Sequence, residues 1–126
     1  LCRNSPIPIA LDEELIGVNN ISEKEKLLRH IQPQYIIFKP SLIGGFKGTQ
    51  EWITLAEDHG TGWWVTSALE SNVGLNAISQ WTFKTGSILP QGLGTGSLYT
   101  NNITSPLFVK DGTIQYDPES RWNFNL

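Results

Sequence analysis

Three short apolar runs each lead into charged residues, and this recurrence constrains the chain more than any other feature. Tyr35-Ile36-Ile37-Phe38 runs into Lys39-Pro40, Pro8-Ile9-Ala10-Leu11 into Asp12-Glu13, and Trp63-Trp64-Val65-Thr66 into Ser67-Ala68-Leu69-Glu70. A short continuous apolar run marks a strand buried on both faces, as in a parallel sheet covered by helices. A lysine that closes such a strand and is pinned by a proline is hard to explain as packing. Counting from position 12 to 39 to 70, the charged ends are 27 and 31 residues apart, each about one strand–helix unit. An acid, a base and an acid at the carboxyl ends of successive buried strands match the catalytic mouth of a (β/α) barrel.

The segments between the runs read as helices. Ser22-Glu23-Lys24-Glu25 has the Ser-x-x-Glu form of a capping box. It predicts a helix with Leu27, Leu28 and Ile31 on one face, stopped by Pro33. Gly44-Gly45 breaks the chain, Thr49 is the expected N-cap of a helix lined by Trp52, Ile53 and Ala56, and Gly60 suits its C-terminus. A third helix is expected to start at an Asn72 cap, to bear Leu75, Ile78 and Trp81 or Phe83, and to end near Gly86. Gly92 to Tyr99 has room for a short fourth strand. From Ser105 the texture changes, and Asp111-Gly112 between alternating apolar runs reads as a tight hairpin. The expected division is 1–104 for the strand–helix units and 105–126 for a hairpin tail.

Composition narrows the partners. The net charge of −3, with both signs scattered, leaves no basic stripe, so nucleic acid is not implied. No apolar run approaches the ~20 residues that cross a bilayer. Cys2 is a lone cysteine, so no internal disulfide forms, which suits a reducing compartment and a cytoplasmic location. No basic-then-apolar leader is recognisable. With 126 residues and no methionine, the chain is expected to be a piece whose natural beginning lies upstream.

Asp12, beside Glu13 and Glu14, reads either as a ligand for a hard cation such as Mg²⁺ or as a solvated acidic cluster. Lys39 reads as a barrel-mouth ammonium, serving as general base or stabiliser of a developing anion, or as half of a salt bridge with Asp12 or Glu70. Such a bridge would itself sit in the mouth. Thr66, Ser67, Glu70 and Ser71 bring hydroxyls and a carboxylate to the third strand's end, suited to substrate hydrogen bonding or to capping. Gly44-Gly45 and Gly92-x-Gly94-x-Gly96 could present backbone N–H groups to an anion, but neither has dinucleotide or P-loop spacing. His30 and His59 stand at helix ends, where a histidine suits the dipole.

Taken in order, these segments resemble the C-terminal part of an enolase-superfamily barrel, in the muconate-lactonizing subgroup. Pro8 to Glu13 resembles the fifth strand with its metal-binding aspartate, and Ile37-Phe38-Lys39-Pro40 the sixth with its catalytic lysine. Thr66 to Leu75 is similar to the seventh-strand Ser-x-x-Glu-Ser-x-x-Gly segment of o-succinylbenzoate synthases. Gly92-Leu93-Gly94-Thr95-Gly96, followed by Asn101-Asn102-Ile103, is similar to their eighth strand and its exit.

The resemblance implies an α/β fold spanning about strands five to eight, with the hairpin tail beyond. It implies a hydro-lyase that forms 2-succinylbenzoate from a succinyl-hydroxycyclohexadiene carboxylate by syn-dehydration, in menaquinone biosynthesis. The reaction abstracts a proton α to a carboxylate and passes through an enediolate that Mg²⁺, or Mn²⁺, stabilises. It further implies Asp12 as metal ligand, Lys39 as catalytic residue, and Thr66, Ser67, Glu70 and Gly92 as substrate contacts. Two more metal carboxylates, the second-strand lysine pair and the capping domain belong to the family's N-terminal half, the expected partner of this chain. Alone, the chain is expected to be inert and to oligomerise through unpaired sheet edges. The alternatives are a dipeptide epimerase or N-acylamino acid racemase on the same scaffold, and a non-catalytic α/β binding module in which Asp12 and Lys39 merely pair.

Overall fold

A computed structural model describes residues 1–124. The chain divides into two compact units, Leu1–Thr66 and Ser67–Leu126.

The first unit is a three-stranded parallel sheet in the order β1 (Ala10–Leu11), β2 (Tyr35–Phe38), β3 (Gly62–Val65). Helix α1 (Ile21–Ile31) joins β1 to β2, and α2 (Gly45–Asp58) joins β2 to β3. Pairing sets Leu11 beside Ile36, Ile36 beside Trp63 and Phe38 beside Val65. Because strand side chains alternate between faces, this register places all five on one face, and all five are buried. Trp52, Ile53 and Ala56 of α2 are buried as the helical periodicity predicts, whereas of the α1 residues expected inward Leu28 is buried and Leu27 and Ile31 are half-buried. The opposite face is only partly covered: Ile37 and Trp64 are half-buried and Tyr35 is exposed. An aromatic pair bridges β2 and β3 on each face, Phe38–Trp63 at 5.9 Å and Tyr35–Trp64 at 6.0 Å between ring centroids.

Helix starts depart from the expected caps. Asn20 rather than Ser22 caps α1, its side chain accepting from the Ser22 N–H at 2.9 Å. Asn caps as well as Ser, so the helix begins two residues earlier. Helix α2 begins at Gly45, directly after Gly44 at φ 97° turns the chain. Thr49 therefore lies inside the helix, where its hydroxyl donates back to the Gly45 carbonyl at 2.8 Å.

The second unit contains α3 (Asn72–Thr85) and the antiparallel hairpin β4 (Leu107–Lys110) and β5 (Thr113–Tyr116). Ser71 is the N-cap of α3, and Asn72 is its first residue. Leu75, Ile78 and Thr82 are the buried positions of the helix; of the two aromatics expected inward, Trp81 is half-buried and Phe83 is 88% exposed. Asp111 and Gly112, at φ 49° and 73°, form the two-residue turn with both central φ positive that suits the twist of a hairpin. Gly92 to Tyr99 forms no named strand; Leu93 is buried there while Gly94 and Ser97 to Tyr99 are exposed. No helix among the described residues is long and apolar enough to cross a membrane.

Candidate active site

The site starts from the way β1 ends. The strand stops at Leu11, and Asp12 takes φ −119° and ψ −82°, outside the extended region, before a 3-10 turn over Glu13–Leu15. Oε2 of Glu14 accepts from the Asp12 N–H at 3.2 Å and holds this turn. On a continuing strand, Asp12 and Glu13 would point to opposite faces. The break lets both carboxylates reach one partner.

That partner is Lys39, at the end of the adjacent parallel strand. Pro40 behind it is fully buried, and the Lys39 carbonyl accepts from the Leu42 N–H at 2.8 Å, which turns the chain away from the sheet. Nζ lies 2.8 Å from Oδ1 of Asp12 and 2.9 Å from Oε1 of Glu13, with the lysine side chain 15% exposed and the carboxylates more open. Asp12 does most to hold the ammonium above its ordinary pKa; burial opposes it, and Glu13 adds to the rise. Lys39 therefore sits at the strand ends as a cation.

Mg²⁺, the ion the resemblance implies, can be tested against these residues. Oδ1 of Asp12 is shielded from solvent, and its one close charged partner is Nζ of Lys39 at 2.8 Å. A hard carboxylate oxygen at a strand end fits a cation ligand. Among the described residues no three His, Cys, Asp or Glu side chains gather into a metal-holding group. Asp12 fits as one ligand, and these residues do not build a complete shell around it.

In the second unit, the Ser67 to Ser71 turn is closed by its own side chains. The Ser67 hydroxyl is 2.7 Å from that of Thr95, and the Ser67 N–H donates to the Gly92 carbonyl at 3.3 Å. Leu69 adopts φ 62°, an uncommon conformation for a leucine. Glu70 folds back so that Oε2 accepts from the Ala68 N–H at 2.9 Å. Thr66 donates its backbone N–H to Phe38 at 2.9 Å, the last bond of the β2–β3 edge. Asn72 ties the helix start to the later loop, donating from its side chain to the Ile103 carbonyl at 2.6 Å, while its N–H donates to Asn102 at 2.8 Å. Gly96 lies so close to Asn72 and Leu75 that a Cβ there would come within 2.7 Å of the Asn72 oxygen. A cavity of about 390 Å³ opens beside Leu75, Leu93, Phe108 and Val109, but Ser67, Glu70 and Gly92 do not line it.

Asp12 and Lys39 thus meet as expected, and Ser67 meets Gly92 and Thr95. Two participants escaped sequence reading. Glu13 was legible only as a neighbour of Asp12, since nothing local shows that β1 breaks there. Thr95 lay in a glycine-rich stretch whose threonine carries no signal of its own.

No protein-family model matches the chain. It is 57% identical over 114 residues to o-succinylbenzoate synthase of Desulfotalea psychrophila, covering 90% of this chain and 31% of that one. The crystal structure of MenC from the same organism superposes with a TM-score of 0.85 at 57% identity, over 90% of this chain and 32% of that one. A muconate cycloisomerase from Pseudomonas fluorescens gives a TM-score of 0.74 at 25% identity, over 92% and 32%. The chain therefore spans about a third of the length of these relatives.

Proposed function

We propose that this chain, whose fold is that of the C-terminal part of an enolase-superfamily barrel, supplies part of the active site of an o-succinylbenzoate synthase. The reaction is loss of water from a succinyl-hydroxycyclohexadiene carboxylate to give 2-succinylbenzoate, a step towards menaquinone. The observation that carries this reading is the meeting of Lys39 and Asp12 at the carboxyl ends of adjacent parallel strands. Active sites of barrels built from such units lie at that end.

In this reading Asp12 is one Mg²⁺ ligand, and the remaining oxygens come from outside the described residues. The bound ion would neutralise charge on the substrate carboxylate as the α proton leaves. Lys39, already cationic, faces the developing negative charge and stabilises it; a preorganised charge that need not reorient is the most effective kind. The base that takes the proton lies outside this chain. Ser67 and Thr66 offer hydroxyls, the Gly92 backbone offers polar groups without a side chain in the way, and Glu70 brings a carboxylate for orienting the substrate. A cytoplasmic location and the N-terminal half of the same enzyme as partner complete the proposal.

The test is turnover by the full-length protein carrying this sequence, assayed with that substrate and with N-acylamino acids and dipeptides. Dehydration with Mg²⁺, abolished in Asp12→Asn and Lys39→Ala, supports the reading. Racemisation without dehydration would replace it with the other activity on the scaffold.

A further inference from the structure

We propose that Glu13 is the positioning residue for Lys39, holding its ammonium in place while Asp12 serves the cation. The inference rests on the functional reading above. Its observation is the sharing of one ammonium by two adjacent acids, of which one is the proposed cation ligand. Nζ donates a well-formed hydrogen bond to Oε1 of Glu13 at 2.9 Å. Oδ1 of Asp12 is 2.8 Å from the same nitrogen and, with no cation bound, does more than Glu13 to hold the ammonium. An oxygen that gives its lone pair to a divalent cation has less to offer a neighbouring ammonium, and the cation itself repels that ammonium. Glu13 keeps its carboxylate free for Lys39, because the break after Leu11 turns it to the lysine rather than to the far face of a strand.

Positioning matters because a small misplacement of a charged group costs rate out of proportion to any loss of fold. Glu13 is also 66% exposed on its side chain. Its substitution therefore perturbs Lys39 without opening the core.

The experiment compares wild type, Glu13→Gln, Glu13→Asp and Asp12→Asn in the full-length protein. Glu13→Gln should lower kcat about tenfold with KM and Mn²⁺ affinity unchanged, and Glu13→Asp should recover part of the loss. Asp12→Asn should lose Mn²⁺ affinity. Independently of turnover, acylation of Lys39 by an amine-reactive ester, mapped by mass spectrometry, should quicken several-fold in Glu13→Gln. A wild-type kcat and labelling rate in Glu13→Gln would overturn the inference, as would a fall in Mn²⁺ affinity matching that of Asp12→Asn. Absence of dehydration in the wild type would instead overturn the functional reading, leaving the labelling rate to decide the role of Glu13.

Discussion

Nζ of Lys39 lies 2.8 Å from Oδ1 of Asp12, across adjacent parallel strands and 27 positions apart in the chain. Each residue directly follows the last residue of a strand whose inward positions are buried, so the sheet itself delivers the two charges to its carboxyl end. The lysine side chain is shielded while the aspartate is half open.

That asymmetry separates the two residues experimentally. Asp12→Asn should weaken Mn²⁺ or Mg²⁺ binding on the order of 10²-fold and nearly abolish turnover, since it removes a charged ligand. Lys39→Ala should leave metal affinity within about threefold of wild type and lower kcat by about 10²-fold or more, the scale for losing one electrostatic stabiliser. Calorimetric titration of each variant checks this; equal loss of metal affinity in both would show the roles to be wrongly divided.

A second lysine has a structural task. Lys24 on α1 is 1% exposed, yet its ammonium contacts Oε2 of Glu51 at 2.8 Å, donates to the Gly48 carbonyl at 3.1 Å, and lies 5.3 Å from the Trp52 ring centroid. Contact with Lys24 lowers the Glu51 pKa from its ordinary 4.5. A depressed folded-state value contributes stability that is full above the unfolded value and fades as pH falls through the folded one. Glu51→Gln should therefore melt below wild type at neutral pH, with the gap in Tm closing as pH drops below about 4.5. A gap independent of pH would exclude the ion pair as its cause.

Gly48→Ala tests packing against propensity. Alanine within a helix is normally worth about 1 kcal/mol over glycine. Here a Cβ would run into the backbone carbonyl of Ile43, which cannot swing aside as a side chain could. The clash should win, giving a net destabilisation of roughly 1–3 kcal/mol in denaturant unfolding. A more stable variant would show that the α2 start yields easily.

Thr95→Val removes the hydroxyl that pairs with Ser67, a residue 5% exposed, while keeping the shape. The cost should be about 1 kcal/mol, because the Ser67 hydroxyl keeps only its 3.3 Å bond from the Leu69 N–H. If Ser67 also contacts substrate, KM should rise in the same variant. Unfolding and steady-state kinetics read the two effects separately.

The alternation of strands and helices, the hairpin at Asp111-Gly112 and the pairing of Asp12 with Lys39 were all legible in the amino-acid order. Each depends on a local pattern: an apolar run, a helical stripe, a turn dipeptide, or a charge placed just after a strand. The structure alone decided which face of β2 is covered, burying Ile36 and Phe38 and leaving Ile37 half-covered, since a wholly apolar run carries no phase of its own. It also decided that Lys24 is buried. Among Glu23, Glu25 and Lys26 it reads as part of a solvated face, and the groups that make its burial tolerable, Gly48, Glu51 and Trp52, lie on another helix more than twenty residues away. The reach of Glu13 to Lys39 belongs with these, because it hangs on a single backbone departure at Asp12 that brings two successive side chains to one partner. Local patterns determine where elements and charges fall along the chain; which partners satisfy a buried or crowded charge is set by distant segments that only packing brings together.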